Sequence, residues 1–191
     1  KELINKLNKN KKYQVACIRK KKYIKKNIYL KNAFYIEDRI PIKDFDVIFS
    51  CVGPSQCYEI ANKLSEAKLV LSCENDISTV EGIKKLSGNQ NVFFCITDVI
   101  TSNTASPKLL KKDSLTIVTE DGELILQNHA KLSFLKEATK VYYKLFMMHW
   151  YSKFFIHNSP HAMLAYLGAI KKYKYIHQAM KNKKILNTNA S

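Results

Sequence analysis

Arginine is almost missing from this sequence. It occurs twice, at Arg19 and Arg39, among 32 basic residues in a chain of 191. Bidentate contacts to phosphate and guanine favour arginine. The formal charge of +16 invites a nucleic-acid reading, and the lysine dominance argues against it. Lysine, asparagine, isoleucine and tyrosine are abundant together, as an A/T-rich coding bias would produce. Long apolar runs are missing too. No segment approaches the roughly 20 residues that a membrane-spanning helix needs, so no membrane partner is expected. Lys1–Lys6 has no apolar core of a signal peptide. The Cys-x-x-Cys pair is also missing. The five cysteines (Cys17, Cys51, Cys57, Cys73, Cys95) are an odd number, mostly in apolar runs. They read as buried thiols in a reducing, cytoplasmic setting, with no metal or disulfide role.

Hydrophobic residues make up 46% of the chain, enough for a packed core. Residues 1–12 read as a polar helix with Leu3, Ile4 and Leu7 on one face. Residues 13–18 read as a strand. The lysine cluster at 19–26 reads as a solvated hairpin edge or, alternatively, an anion-binding patch. Residues 27–30 and 33–36 add strand-like material. Three nearly continuous apolar runs follow, at 45–52, 68–73 and 91–96, as for strands buried on both faces. Helices are predicted between them, over 56–67 and from a Ser78/Glu81 capping box to about Leu86. This alternation is a βαβ array with a parallel sheet. A loop is expected over 101–107, and a hairpin with an Asp-Gly turn joins 115–119 to 123–126. Leu132, Leu135, Ala138, Val141, Leu145 and Met148 recur at helical spacing and predict one long helix. The chain therefore divides near residue 127. Residues 1–127 form part of a Rossmann-like α/β domain, and 128–191 the start of an all-α domain.

Ligands of such sheets bind at the carboxyl ends of the strands. Those ends are Val52-Gly53-Pro54, Glu74-Asn75 and Thr97-Asp98. Gly53 lets a ligand approach the backbone, although Gly-Pro and Asn-Asp are also ordinary turn residues. The densest polar constellation is Lys153-Phe154-Phe155-Ile156-His157-Asn158-Ser159-Pro160-His161. Trp150, Phe154, Phe155 and Ile156 are expected to desolvate Lys153 and lower its pKa into the range of a working base. Pro160 suits a first helical turn capped by Asn158 or Ser159, so a helix is predicted to begin here and run to about Met180. The plainer reading is a snorkelling lysine, a capping asparagine and a surface histidine.

Lys153-x4-Asn158-x2-His161, continuing through Ala162 to Tyr166-Leu167-Gly168, resembles the start of the helical domain of the polyol-specific long-chain dehydrogenases. That family includes mannitol 2-dehydrogenase and mannitol-1-phosphate 5-dehydrogenase. Val52-Gly53-Pro54, Ser72-Cys73-Glu74-Asn75 and Thr97-Asp98-x-Ile100 match three of its landmarks in order. The resemblance covers about residues 45–180. It implies metal-independent oxidation of a polyol or sugar phosphate with NAD or NADP. Lys153 is then the general acid/base, Asn75 and Asn158 donate to the developing alkoxide, and His161 orients the substrate. Val52, Gly53, Pro54 and Asn75 lie beside the cofactor, and Asp98, Asn158 and His161 near the substrate.

The family's phosphate loop belongs to its first βα unit, and no Gly-x-Gly-x-x-Gly occurs among the five glycines here. Lysines stand at Lys171 and Lys172, where the family often has a glycine. The chain is accordingly expected to be an internal piece of such an enzyme. The alternatives are a non-catalytic relative that binds no cofactor, or a basic nucleic-acid-binding module built on residues 19–26.

Overall fold

A computed structural model of the chain describes residues 1–19, 22–98, 101–102, 106–120 and 122–185. The chain divides into two compact units: Lys1–Ile125 with Leu135–Thr139, and Leu126–Phe134 with Lys140–Ser191.

The first unit opens with helix α1 (Glu2–Asn10). It ends where Lys11 turns left-handed at φ 53° and its N–H donates to the Leu7 carbonyl. Strands β1 (Lys12–Arg19) and β2 (Lys22–Tyr29) form an antiparallel hairpin in which Arg19 faces Lys22. The lysine-rich edge is thus a strand, with Lys25 and Lys26 exposed. Residues 33–36, expected as a strand, are irregular. Their backbone groups are satisfied by side chains in place of a ladder. Asn8 binds both the Ala33 carbonyl and N–H (2.7 and 2.8 Å), and Asp38 accepts from the Tyr35 N–H at 2.7 Å. Ile36, Ile40 and Phe45 then line an apolar groove with Ile48, Ile60 and Leu64.

Strand β3 (Ile48–Ser50) leads to α2 (Pro54–Ile60), β4 (Val70–Ser72), α3 (Thr79–Ser87) and β5 (Val92–Asp98). β3, β4 and β5 pair in parallel, a Rossmann-like arrangement. β4 is fully buried, as an apolar run between two neighbours should be. β3 is not: it ends the sheet, and Phe49 is 42% exposed. The core here is Cys57, Ala61, Leu64, Val70, Leu71 and Ile83. Asn89 is buried but satisfied, donating to the Leu64 and Ala67 carbonyls (2.9 and 2.8 Å) and accepting from the Asn91 N–H at 2.8 Å.

The capping box does not form. Asp76 turns the chain into α3 by accepting from the Ser78 N–H at 2.9 Å, and Glu81 pairs with Lys84 at 3.0 Å. Gly88 ends α3 at φ 71°, a conformation that suits glycine.

A short β6 (Thr101–Ser102) stands inside the expected loop, followed by α4 (Pro107–Lys112). The Asp-Gly hairpin is a second correction. Strands β7 (Ile117–Glu120) and β8 (Glu123–Gln127) lie in different sheets. β7 sits between β1 and β6 in the order β2-β1-β7-β6. β8 sits between β5 and β9 (Thr139–Val141) in the order β3-β4-β5-β8-β9. Both edges of each strand are already taken, which leaves none for the other. Residue 121 lies outside the described residues.

The long helix predicted from residue 131 is likewise divided. A 3-10 turn (Ala130–Leu132) and β9 precede α5 (Tyr143–Ser152). Thr139 and Val141 are β-branched and favour a strand. The Val141 carbonyl accepts from the Asn128 N–H at 2.7 Å. In the second unit, α5 continues through a π-helical turn (Lys153–Asn158) into α6 (Ser159–Ile170), and α7 (Ile176–Ala179) folds back. Gly168 lets α7 approach: a Cβ there would stand 3.1 Å from the Ala179 Cβ. Leu164, Ala179 and Ile185 form the core of this helical hairpin. The helix predicted to run to Met180 therefore stops at Ile170, where Lys172 takes a positive φ of 59°.

Candidate functional site

In the first unit, the carboxyl ends of β3, β4 and β5 bring the predicted landmarks to one edge of the sheet. Residues 51–56 are all exposed. Gly53 precedes α2 with φ −55° and ψ 157°, and Pro54 starts the helix. The Gly53 carbonyl accepts from the Cys57 N–H at 3.0 Å. A Cβ on Gly53 would meet only the flexible Gln56 side chain, at 2.7 Å from its Oε1, so the backbone here is open to a ligand. Val52 is 36% exposed. Asn75 is exposed beyond β4, and Glu74 beside it is half-buried. Burial pushes the Glu74 carboxyl above the usual carboxylate range. Asp98 is the last residue of β5; its side chain lies outside the described residues.

Sequence reasoning missed a feature of this edge. Of the five cysteines taken as buried, Cys51 is exposed and Cys73 half-buried, while Cys57 and Cys95 are buried. Cys51 and Cys73 follow β3 and β4 directly. The signal was present: two of the apolar runs carry the same dipeptide at their carboxyl ends, Ser50-Cys51 and Ser72-Cys73.

In the second unit, Lys153, Asn158 and His161 lie on one continuous helical segment, not at a helix mouth. Asn158 makes no cap bond and has helical angles. The bulge is built around one carbonyl: Phe154 accepts from the Ser159 N–H, five residues on, and from the Ser159 hydroxyl at 2.9 Å. Pro160, which has no N–H to donate to the preceding turn, stands just after it.

The phase of the helix depends on this turn. In a regular α-helix a residue five positions on lies about 140° round the axis. A π turn bonds i to i+5, so it brings Asn158 over Lys153. His161, three residues further, neighbours Asn158 on the same face. Lys153 and Asn158 are half-buried and His161 is exposed. The apolar surround expected for Lys153 is open: Phe154, Phe155 and Ile156 are 42%, 62% and 67% exposed. Trp150 stacks on Phe154 at 5.9 Å and Tyr151 on Phe155 at 6.3 Å, an aromatic ladder along the helix.

Among the described residues, no group of three or more histidine, cysteine or acidic side chains is placed to hold a metal ion. No helix among them is long and apolar enough to cross a membrane.

A mannitol-1-phosphate 5-dehydrogenase of Mycoplasmopsis pulmonis (strain UAB CTIP) is 27% identical over 201 aligned residues, which take in 97% of this chain and 52% of that protein. The chain resembles the mannitol-1-phosphate 5-dehydrogenases. A second, from Buchnera aphidicola subsp. Acyrthosiphon pisum (strain 5A), is 27% identical over 75% of this chain and 43% of its own length. A third, from Clostridium acetobutylicum, is 58% identical over a stretch of 33 residues, 17% of this chain and 9% of that protein. The chain spans about half the length of the first two. No family model matches it. Solved structures with a similar backbone include a ketopantoate reductase from Staphylococcus aureus (TM-score 0.45, 14% identity, 69% of this chain and 43% of that one). Another is a 2-dehydropantoate 2-reductase from Geobacter metallireducens GS-15 (TM-score 0.48, 11% identity, 68% and 44%).

The carboxyl ends of β3 and β4 thus carry an open glycine backbone at Gly53, an exposed Asn75 and a half-buried Glu74. A phosphate-binding glycine loop is not among this chain's residues.

Proposed function

We propose that this chain carries the substrate-handling residues of a mannitol-1-phosphate 5-dehydrogenase that uses NAD or NADP. The observation that carries the reading is the π-helical turn at Lys153–Asn158, which phases Lys153, Asn158 and His161 onto one helical face. Spaced i, i+5 and i+8, these three would spread over an arc of about 140° in a regular helix, and the wider turn narrows that arc.

A bound nicotinamide supplies the hydride acceptor. Lys153 removes the proton from the substrate hydroxyl. Asn158 donates an amide N–H to the same oxygen as charge develops on it, and a neutral donor polarises it without adding charge. His161 orients neighbouring hydroxyls. In the first unit, Val52, Gly53, Pro54 and Asn75 contact the cofactor, and Asp98 contributes to substrate binding. The excess of lysine suits a phosphorylated, anionic substrate.

The test is hydride transfer from mannitol 1-phosphate, followed by the absorbance of the reduced nicotinamide. Lys153→Ala is expected to lower kcat by about 10²–10⁴-fold, the usual contribution of a general base, with unchanged thermal unfolding. Full activity in that variant sinks the reading.

A second reading is a relative of these enzymes that binds no dinucleotide. Calorimetric titration with NAD and NADP separates the two. Saturable heat supports the enzyme, and a flat titration of the folded chain supports the second reading.

A further inference from the structure

Three cysteines stand in one row across the parallel sheet. Ser50 is level with Ser72, and Ser72 with Phe94. The residues that follow, Cys51, Cys73 and Cys95, continue that register, and equal positions on neighbouring strands face the same side. The Cys73 N–H donates to the Ser50 carbonyl at 2.9 Å, which carries the ladder past the end of β3 and holds Cys73 beside Cys51. Neighbouring strands run about 4.8 Å apart, and a disulfide spans a Cα separation of about 4.4–6.8 Å.

The row contains two neighbouring pairs, and they differ. Cys95 is fully buried inside β5, which continues to Asp98. Cys51 and Cys73 each follow the last residue of their strands, where the backbone has freedom to meet the torsion that a disulfide needs. Cys51 is open to solvent. Cys57 is the other thiol nearby, and it is engaged from α2, 3.3 Å from the Ser50 hydroxyl and donating to the Val52 carbonyl at 3.6 Å.

We propose that Cys51 and Cys73 are an oxidisable dithiol that closes to a disulfide when hydrogen peroxide reaches the carboxyl edge of the sheet. The Cys73 thiolate attacks one peroxide oxygen. The O–O bond breaks, the departing hydroxide takes a proton to become water, and Cys73 is left as a sulfenic acid. The Cys51 thiol gives its proton to solvent, and its sulfur attacks the Cys73 sulfur. The S–S bond forms, the S–O bond breaks, and the hydroxide leaves as a second water. Two thiols lose two electrons, and one peroxide accepts them.

The groups facing the pair set its rate. The S–H of Cys51 bonds to Cys73, and that bond, with the partial burial of a sulfur whose residue is otherwise exposed, pushes the Cys51 thiol up. The same bond favours the Cys73 thiolate, but its contact with Cys95, burial and the charge on Glu74 outweigh it and push Cys73 up to about 12. Cys57 is also raised, by burial, although its bond to Ser50 works the other way. The thiolate is the nucleophile, so closure is slow at neutral pH and accelerates with alkalinity. Nothing in this device depends on the cofactor or on Lys153.

The experiment is peroxide treatment of the chain, alkylation of the remaining thiols and tryptic mapping by mass spectrometry. Cys51 and Cys57 fall in the peptide 44–63, Cys73 in 69–84 and Cys95 in 86–108. Free thiols are expected to fall from five to three, with 44–63 joined to 69–84, and faster at alkaline than at neutral pH. Cys51→Ser is expected to abolish the link and Cys57→Ser to leave it, while native Cys95 resists alkylation in both, which reports an intact fold. No link, a link through 86–108, a link that survives Cys51→Ser, or oxidation that stops on one sulfur overturns the proposal.

Discussion

Gly82 and Tyr58 show how one atom sets the spacing of two helices. Gly82 lies in the middle of α3, where alanine would be preferred by up to about 1 kcal/mol. A Cβ there would overlap the Tyr58 ring of α2. Overpacking costs about 1–3 kcal/mol, so Gly82→Ala is expected to lower unfolding stability in denaturant titrations. In a Tyr58→Ala background the same change is expected to be stabilising, and that reversal of sign is the readout. Glu74 makes a pH prediction. Burial raises its folded-state pKa above the unfolded value, so between the two the folded chain binds more protons than the unfolded one. Stability therefore falls as pH rises through that window. Glu74→Gln is expected to raise Tm at neutral pH and to leave it unchanged in acid, below the ordinary glutamate range. A Tm gain of equal size at both pH values would contradict the assignment.

The π-helical turn is the element on which the proposed chemistry rests, and it is held by few bonds. Ser159→Ala removes the hydroxyl bond to the Phe154 carbonyl and is expected to cost about 0.5–1.5 kcal/mol, the net worth of such a bond. Ser159→Thr is expected to retain most of it, and thermal unfolding of the two variants makes the comparison. The residue types of this stretch were legible: Lys153, Asn158 and His161 stand out from sequence alone. Their geometry was not. Pro160 announced a helix start, because a proline lacks the N–H that a helix interior needs. The chain accommodates it by widening one turn instead, and residue types do not show that choice. The βαβ array was legible for a related reason. Apolar runs such as Leu69–Leu71 are long enough to mark a doubly buried strand whatever surrounds them. The hairpin at Asp121-Gly122 was misread because a turn signal is local, whereas the partners of β7 and β8 lie far away in sequence. The same distance hid β9, whose Val141 carbonyl serves Asn128.

At the scale of the molecule, a formal charge of +16 is carried largely by exposed lysines, and the proposed anionic substrate would feel their field. Added salt is expected to raise KM for mannitol 1-phosphate more than for unphosphorylated mannitol, since screening weakens long-range attraction; equal slopes would show that charge plays no part. One feature of the sheet order reaches beyond the finished structure. β1 pairs in parallel with β7, Val15 beside Ile117, so about a hundred residues of chain must be enclosed before those strands meet, and such closures are slow. On a ribosome, where the amino-terminal part emerges first, β1 and β2 are complete long before β7 exists. A lone two-stranded ribbon is marginally stable at best. β7 joins the free side of β1, so β2 is an outer edge both in the nascent ribbon and in the finished sheet, and the like charges of its lysines oppose edge-to-edge pairing of chains at both stages.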